Sequence, residues 1–81
     1  MQTGTRVRLT KDVDIYPVML AKAGLTGTLV EIDADGAYWV QLDEHFPALD
    51  EWDNKIQIWN YSKQDGSDYY PENYLEQLTN P

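Results

Sequence analysis

The amino-acid sequence predicts an all-β fold: a small, partly open barrel of five short strands with long loops and a short helical turn. Several short segments alternate apolar and polar side chains or are rich in β-branched residues, as strands are. Asp35-Gly36 separates two such segments, and Asp-Gly is a strong signal for a hairpin turn. A chain of 81 residues has room for one hydrophobic core, so we expect a single domain over residues 1–81.

The N-terminal half contains three predicted strands. Residues 5–10 alternate, which places Val7 and Leu9 on one face. Residues 28–32 are rich in β-branched side chains, and residues 37–42 return after the hairpin turn. Segment 11–23 has no regular period, and we expect it to be a long loop folded back over the core. The apolar residues that suggest this are Ile15, Tyr16, Val18, Met19 and Leu20.

The C-terminal half is predicted to be less regular. Residues 47–52 are expected to form one helical turn that begins at a proline. Residues 55–59 form a fourth strand, residues 60–70 a flexible polar loop, and residues 71–78 a helical turn followed by a last short strand. The predicted core consists of the inward residues of all strands: Val7, Leu9, Val30, Ile32, Val40, Leu42, Ile56, Ile58 and Leu78.

Negative charge is concentrated in the second half of the chain. The formal net charge is −8, with five acidic and four basic residues in 1–42 but nine acidic and two basic residues in 43–81. Direct binding to nucleic acid or to an anionic membrane needs clustered Lys and Arg, so we expect neither. The expected partner is a protein with a basic, Lys/Arg-rich surface. The alternative is that the surplus of carboxylates only keeps a small domain soluble.

The sequence contains no motif typical of a catalytic or metal site. His45 is the single histidine, cysteine is missing, and neither a nucleophile motif nor a phosphate-binding loop occurs. Asp33 and Asp35 resemble the start of a calcium loop, but Ala37 stands at a ligand position, so a hairpin turn is favoured. We therefore expect no enzyme, no cofactor and no metal. We also expect a cytoplasmic monomer, since the first residues are unlike a signal peptide.

The order of the predicted elements resembles that of SH3-like barrels. In both, a strand and a long folded-back loop precede two strands joined by a tight turn, a further strand, a helical turn and a last strand. The segment Pro71-Glu72-Asn73-Tyr74-Leu75 is similar to the Pro-x-Asn-Tyr-aliphatic sequence of peptide-binding SH3 domains. This resemblance implies that Pro71 and Tyr74 line a groove for proline-rich ligands.

Two further stretches show similarities. Residues 27–32 are similar to the glycine-led strand of bacterial and ribosomal SH3-like modules. Residues 42–59 are similar to small, acidic, uncharacterised proteins of bacteria and their phages, which implies an origin in a mobile element or an accessory gene.

Together these features predict a non-catalytic protein-binding module. Trp and Tyr rings beside carboxylates suit a partner's Arg or Lys, although the rings could instead cap the ends of the barrel. If the acidic loops converge, they imitate the charges of a nucleic-acid backbone, as phage-encoded inhibitors of the anti-CRISPR or anti-restriction type do. The alternative is an SH3-like accessory subunit or peptide-binding domain of a larger complex. The candidate partner-binding residues are Asp43, Glu44, Asp50, Glu51, Trp52, Asp53, Trp59, Asp65, Asp68, Glu72 and Tyr74.

Overall fold

The computed structural model describes residues 1–15 and 17–78. Strands predominate over helices in it, so the β-rich character of the predicted all-β fold is confirmed, but the described residues form seven strands instead of the predicted five. The described strands are β1 (Arg6–Leu9), β2 (Val13–Ile15), β3 (Met19–Ala21), β4 (Thr26–Ile32), β5 (Tyr38–Leu42), β6 (Lys55–Ile58) and β7 (Leu75–Gln77). The helical elements are the 3-10 turns η1 (Pro47–Trp52) and η2 (Pro71–Tyr74) and the short helix α1 (Tyr61–Asp65). Within the described part of the chain, no helix is both long and apolar enough to cross a membrane.

Five strands form one antiparallel sheet in the order β6-β5-β4-β1-β7, and β2 pairs with β3 in a separate hairpin. Strands β6 and β7 are the two edges, so the hydrogen bonds between the described strands leave the larger sheet open. Strand β1 pairs with both β4 and β7, and its alternation buries Val7 and Leu9 as predicted. The first strand of the sequence thus lies near the middle of the sheet in space.

Strand β4 contains a register shift that changes the predicted core. Leu29 pairs with Val40, whereas Glu31 pairs with Trp39, so one extra residue is inserted between them as in a β-bulge. Leu29 is fully buried, while Val30 and Ile32 are 36% and 39% exposed. The prediction that Val30 and Ile32 point into the core is wrong, because the inward face of β4 is the one that carries Leu29.

One hydrophobic cluster joins the sheet, the hairpin and η1. The predicted inward residues Val40, Leu42, Ile56 and Ile58 belong to it, but Leu78 is only half-buried and is not a member. The C-terminal segment contributes a residue of β7 instead, and the hairpin and η1 contribute three side chains that the sequence did not predict for the core. Besides Leu29, the core residues that the sequence did not predict are therefore Val13, Ala21, Leu49 and Leu75.

Two segments predicted as loops contain regular structure. The segment 11–23 forms the β2–β3 hairpin, which folds over the core as expected, although Leu20 is 43% exposed and Tyr16 lies outside the described residues. The segment 60–70, predicted to be a flexible polar loop, contains the short helix α1. The Asn60 side chain accepts a hydrogen bond from the backbone N–H of Lys63 and caps this helix, and Gly66 ends it in the left-handed region.

Val40→Ala should lower the free energy of unfolding by about 1–3 kcal/mol, because Val40 is fully buried and the change leaves a cavity. The matched change Val30→Ala removes the same atoms at the bulge and should cost less than about 0.5 kcal/mol, since that side chain is partly in solvent. Urea unfolding followed by Trp fluorescence measures both values. Equal losses would contradict the register of β4.

Candidate functional site

Asp33 organises the outer face of the β5–β6 pair, which is the face opposite Val40. Its Oδ1 accepts hydrogen bonds from the backbone N–H groups of Asp35 and Ala37, at 2.9 and 3.0 Å. Its Oδ2 accepts from the Trp39 indole at 3.2 Å and from the Gln57 amide at 3.1 Å. Desolvation acts to raise the pKa of Asp33, but these hydrogen bonds to its charged form outweigh that effect and lower the pKa. Trp39 and Gln57 are therefore held side by side.

Two adjoining grooves are formed where outward residues of β5 and β6 meet other parts of the chain. The apolar slot runs between the β2–β3 hairpin and η1, and it is lined by Ile15, Val18, Trp39, Leu49, Trp52, Lys55 and Gln57. The acidic groove continues from it and is lined by Glu31, Trp39, Glu51, Trp52, Asp53 and Lys55. Because Trp39, Trp52 and Lys55 line both, the two grooves form one continuous area, which we call the Trp39–Trp52 surface.

Asn54 fixes the acidic connection between β5 and β6, residues 43–54, which leads into this surface. Its side chain accepts a hydrogen bond from the Phe46 N–H at 2.8 Å and donates to the carbonyls of Leu42 and Glu44, at 2.9 and 2.8 Å. Asp53 and Asn54 both have positive φ, 54° and 61°, a conformation that Asp and Asn adopt more readily than most residues. The chain therefore turns sharply after η1. The exposed acidic side chains of the connection are Glu44, Asp50, Glu51 and Asp53.

Trp52 and Leu49 have different environments although both belong to η1. Leu49 is fully buried and anchors η1 to the core, whereas Trp52 is 40% exposed. The prediction of one helical turn over 47–52 is confirmed, with Pro47 in its first turn. Because Leu49 fixes η1, the Trp52 ring and the neighbouring carboxylate of Glu51 are presented to solvent on a rigid support.

Asp43, a predicted partner-binding residue, is engaged within the chain. Arg6 pairs with both of its carboxylate oxygens, Nη1 lying 2.7 Å from Oδ1, and the Thr26 hydroxyl donates to Oδ2 at 2.7 Å. The hydrogen bonds from Arg6 and then from Thr26 lower the pKa of Asp43 to about 2. Asp43 therefore joins β1, β4 and the end of β5, and its acceptor positions are largely occupied.

Trp59 and Tyr74 lie in another groove, together with Asp12, Asp14 and Tyr61. The Trp59 ring is 49% exposed. The ammonium group of Lys11 lies 5.3 Å from the centroid of the Tyr74 ring, within the range of a cation–π contact. This groove, which we call the Trp59–Tyr74 groove, has aromatic walls and carboxylates from the start of the β2–β3 hairpin.

Of the remaining predicted acidic residues, Asp65 is the last residue of α1, and Asp68 and Glu72 follow this helix. Lys63 of α1 donates a hydrogen bond to the carbonyl of Ala34 at 3.2 Å, which places this segment beside the β4–β5 turn. Burial, and then the charge of Glu72, raise the pKa of Tyr38 at the start of β5. In contrast, η1 follows the end of β5. The predicted acidic set is thus divided between the two ends of β5.

Some residues of the Trp39–Trp52 surface were missing from the sequence-based set. Because side chains alternate along β5, Trp39 must point away from the face that carries Val40, so its outward position could have been predicted from the sequence. No local pattern indicates that Ile15, Val18 and Gln57 would meet it, because these contacts join strands that are distant in sequence.

Comparisons of the chain with protein-family models, with curated proteins and with solved structures found no match. Within residues 1–15 and 17–78, no group of three or more His, Cys, Asp or Glu side chains is arranged to hold a metal ion. The Trp39–Trp52 surface combines aromatic and apolar side chains with the carboxylates of Glu31, Glu51 and Asp53 and with the polar side chains of Lys55 and Gln57.

Asp43 should make folding stability depend on pH at the acid end. Its pKa in the folded state is below the unfolded value, so its contribution to stability is fully present above about pH 4 and is lost as the pH falls to about 2. Asp43→Asn should therefore flatten the loss of stability over this range, as measured by thermal melting at successive pH values. Arg6→Gln, which removes the main donor, should flatten it in part. An unchanged profile in both variants would contradict this role.

Proposed function

We propose that this protein is a non-catalytic, SH3-like binding module that engages a Lys/Arg-rich protein surface through its Trp39–Trp52 surface. The sheet order β6-β5-β4-β1-β7, with a folded-back hairpin between β1 and β4 and a 3-10 turn before β7, supports the SH3-like part of the proposal. It follows the order of elements that the resemblance implied.

The observation that carries the binding proposal is the position of Glu51 and Asp53 beside two Trp rings in one groove. A guanidinium group can stack on an indole while it donates hydrogen bonds to a carboxylate, so this combination suits Arg above other side chains. Trp52 is exposed enough to serve as such a stacking platform. Exposed Trp residues are also the most frequent anchors of protein interfaces.

Competition with nucleic acid follows from the same chemistry. A protein site that binds a phosphate backbone is lined by Lys and Arg, and exposed carboxylates such as Asp50, Glu51 and Asp53 can occupy it in place of phosphates. An intracellular inhibitor of the anti-CRISPR or anti-restriction type is the role that this property would serve. Long-range attraction between the acidic chain and a basic partner would act mainly on the rate of association.

A second candidate function is that of a peptide-binding or accessory domain that uses the Trp59–Tyr74 groove. The specific observation in its favour is the groove itself, whose aromatic walls face the carboxylates of Asp12 and Asp14. The contact between the Lys11 ammonium group and the Tyr74 ring shows that this ring can accept a cation. In this case, binding would depend on aromatic packing more than on long-range charge.

Reversing the charges of the three carboxylates in and after η1 should strongly weaken the binding of a basic probe. The probe is a short peptide in which Arg and Lys alternate with Gly, mixed with a short fluorescent single-stranded DNA. At low salt the native chain should bind the peptide and release the DNA from it, and the triple variant Asp50→Lys, Glu51→Lys and Asp53→Lys should bind at least about tenfold more weakly. Physiological salt should weaken native binding, because charges are screened beyond about 8–10 Å.

The matched control is the triple variant Asp65→Lys, Asp68→Lys and Glu72→Lys, which changes the net charge equally at the other end of β5. It should retain most of the affinity, and thermal melting establishes that both variants are folded. Equal losses in the two variants would show that net charge alone matters. Full binding by the first variant, with loss in Tyr74→Ala, would overturn the proposal in favour of the Trp59–Tyr74 groove.

His45→Ala should change the affinity for the same peptide by less than about twofold, since a group at the rim contributes little to binding. His45 is exposed, and its Nε2 lies 2.6 Å from Oδ1 of Asp50. Fluorescence titration of the folded variant measures the effect. A loss of about tenfold or more would reopen a chemical role for this imidazole.

A further inference from the structure

We infer that the partner is recognised by one large apolar side chain as well as by its positive charge. The proposed motif is a Leu-, Ile-, Met- or Phe-sized residue flanked by Lys or Arg, in which the apolar side chain enters the apolar slot. This inference rests on the proposed function, because it specifies the kind of basic segment that the Trp39–Trp52 surface accepts.

The size and lining of the slot support this occupant. The slot is open to solvent on one side, and its volume of about 160 Å³ is enough for one large apolar side chain. Its apolar lining consists of the fully buried Leu49, of Ile15 and Val18 from the β2–β3 hairpin, and of Trp39 and Trp52. Such a lining favours an apolar side chain over a charged one.

The charges around the slot define what flanks the apolar residue. The slot shares Trp39, Trp52 and Lys55 with the acidic groove, in which the carboxylates of Glu31, Glu51 and Asp53 outnumber the single ammonium group of Lys55. An apolar side chain in the slot therefore brings its chain neighbours within reach of these carboxylates. Lys and Arg are the side chains that complement them.

The slot is also held in shape before any partner arrives. Trp39 is fixed by its hydrogen bond to Asp33 at 3.2 Å, and η1 is fixed by the burial of Leu49. A site that is already ordered loses less conformational entropy when it binds. A simple imitation of a nucleic-acid backbone needs carboxylates on the surface but no such cavity, so the slot points to a more selective partner.

The test compares two short peptides that differ at one position. One has a single Leu at the centre of an Arg- and Lys-containing sequence with Gly spacers, and the other has Ser at that place. The native chain should bind the Leu peptide at least about tenfold more tightly than the Ser peptide, because the side chain leaves water on entering the slot. Fluorescence titration at one salt concentration measures both affinities.

Matched variants locate the effect. Trp52→Ala should remove the preference for Leu, whereas Trp59→Ala, at an exposed Trp outside the slot, should retain it. Val18→Ser should reduce the preference, whereas Leu20→Ser, on the same hairpin but outside the slot, should leave it unchanged. Thermal melting of each variant separates loss of the slot from loss of the fold.

The affinities of the two peptides for the native chain and its variants show whether an apolar side chain enters the slot. A preference for Leu that depends on Trp52 and Val18 supports it. Equal affinities for the two peptides, with both lost on reversal of Asp50, Glu51 and Asp53, would overturn the inference and leave the proposed function standing. A preference for Leu that persists in Trp52→Ala would place the apolar contact elsewhere and overturn the inference. If neither peptide binds the native chain, both the inference and the proposed function fail.

Discussion

The pairing of Leu29 with Val40 is the constraint on which the rest of the molecule depends. Both side chains are fully buried, and they set which face of β4 and β5 belongs to the core. Because side chains alternate along a strand, burial of Val40 directs Trp39 to the other face. A shift of one residue would exchange the two faces. The outer surface with its grooves is therefore a consequence of how the core is packed.

Asp33 converts this outward face into an ordered surface. One carboxylate closes the β4–β5 turn through its contacts with two backbone N–H groups and also holds the side chains of Trp39 and Gln57. Hydrogen bonds to a charged group are stronger than those between neutral groups, so these four bonds help to order a chain that has only a small core. The turn and the binding surface are thus positioned by the same side chain.

The negative charges have different roles according to what surrounds them. Asp43 is held by Arg6 and Thr26, and Glu76 pairs with Arg8 at 2.7 Å, so these carboxylates contribute to the contacts between strands. Within the described residues, Asp50, Glu51 and Asp53, in and directly after η1, have no such contact with Arg, although Asp50 lies 2.6 Å from His45. Glu51 and Asp53 are therefore more accessible to a second molecule. A net charge by itself does not distinguish these roles; the positions of the basic residues do.

The sequence by itself determined the features that depend on neighbouring residues. Alternation predicted β1 and β5 with their inward residues, and Asp35-Gly36 predicted the turn between β4 and β5, since both signals are local. The prolines predicted the starts of η1 and η2 for the same reason. The mostly-β class and the surplus of carboxylates after Leu42 were also readable from the chain alone.

Only the tertiary structure decided which of these features meet in space. The bulge at Val30 depends on how β4 fits against β5, and the link from Asp33 to Gln57 joins residues 24 positions apart. The apolar slot exists because residues of the β2–β3 hairpin and of η1 come together with Trp39 and Gln57, an arrangement that no local pattern encodes. The same packing separates the carboxylates near Trp52 from those near Glu72. Contacts between distant segments are set by the packing of the core as a whole, and a pattern with a period of two residues carries no information about them.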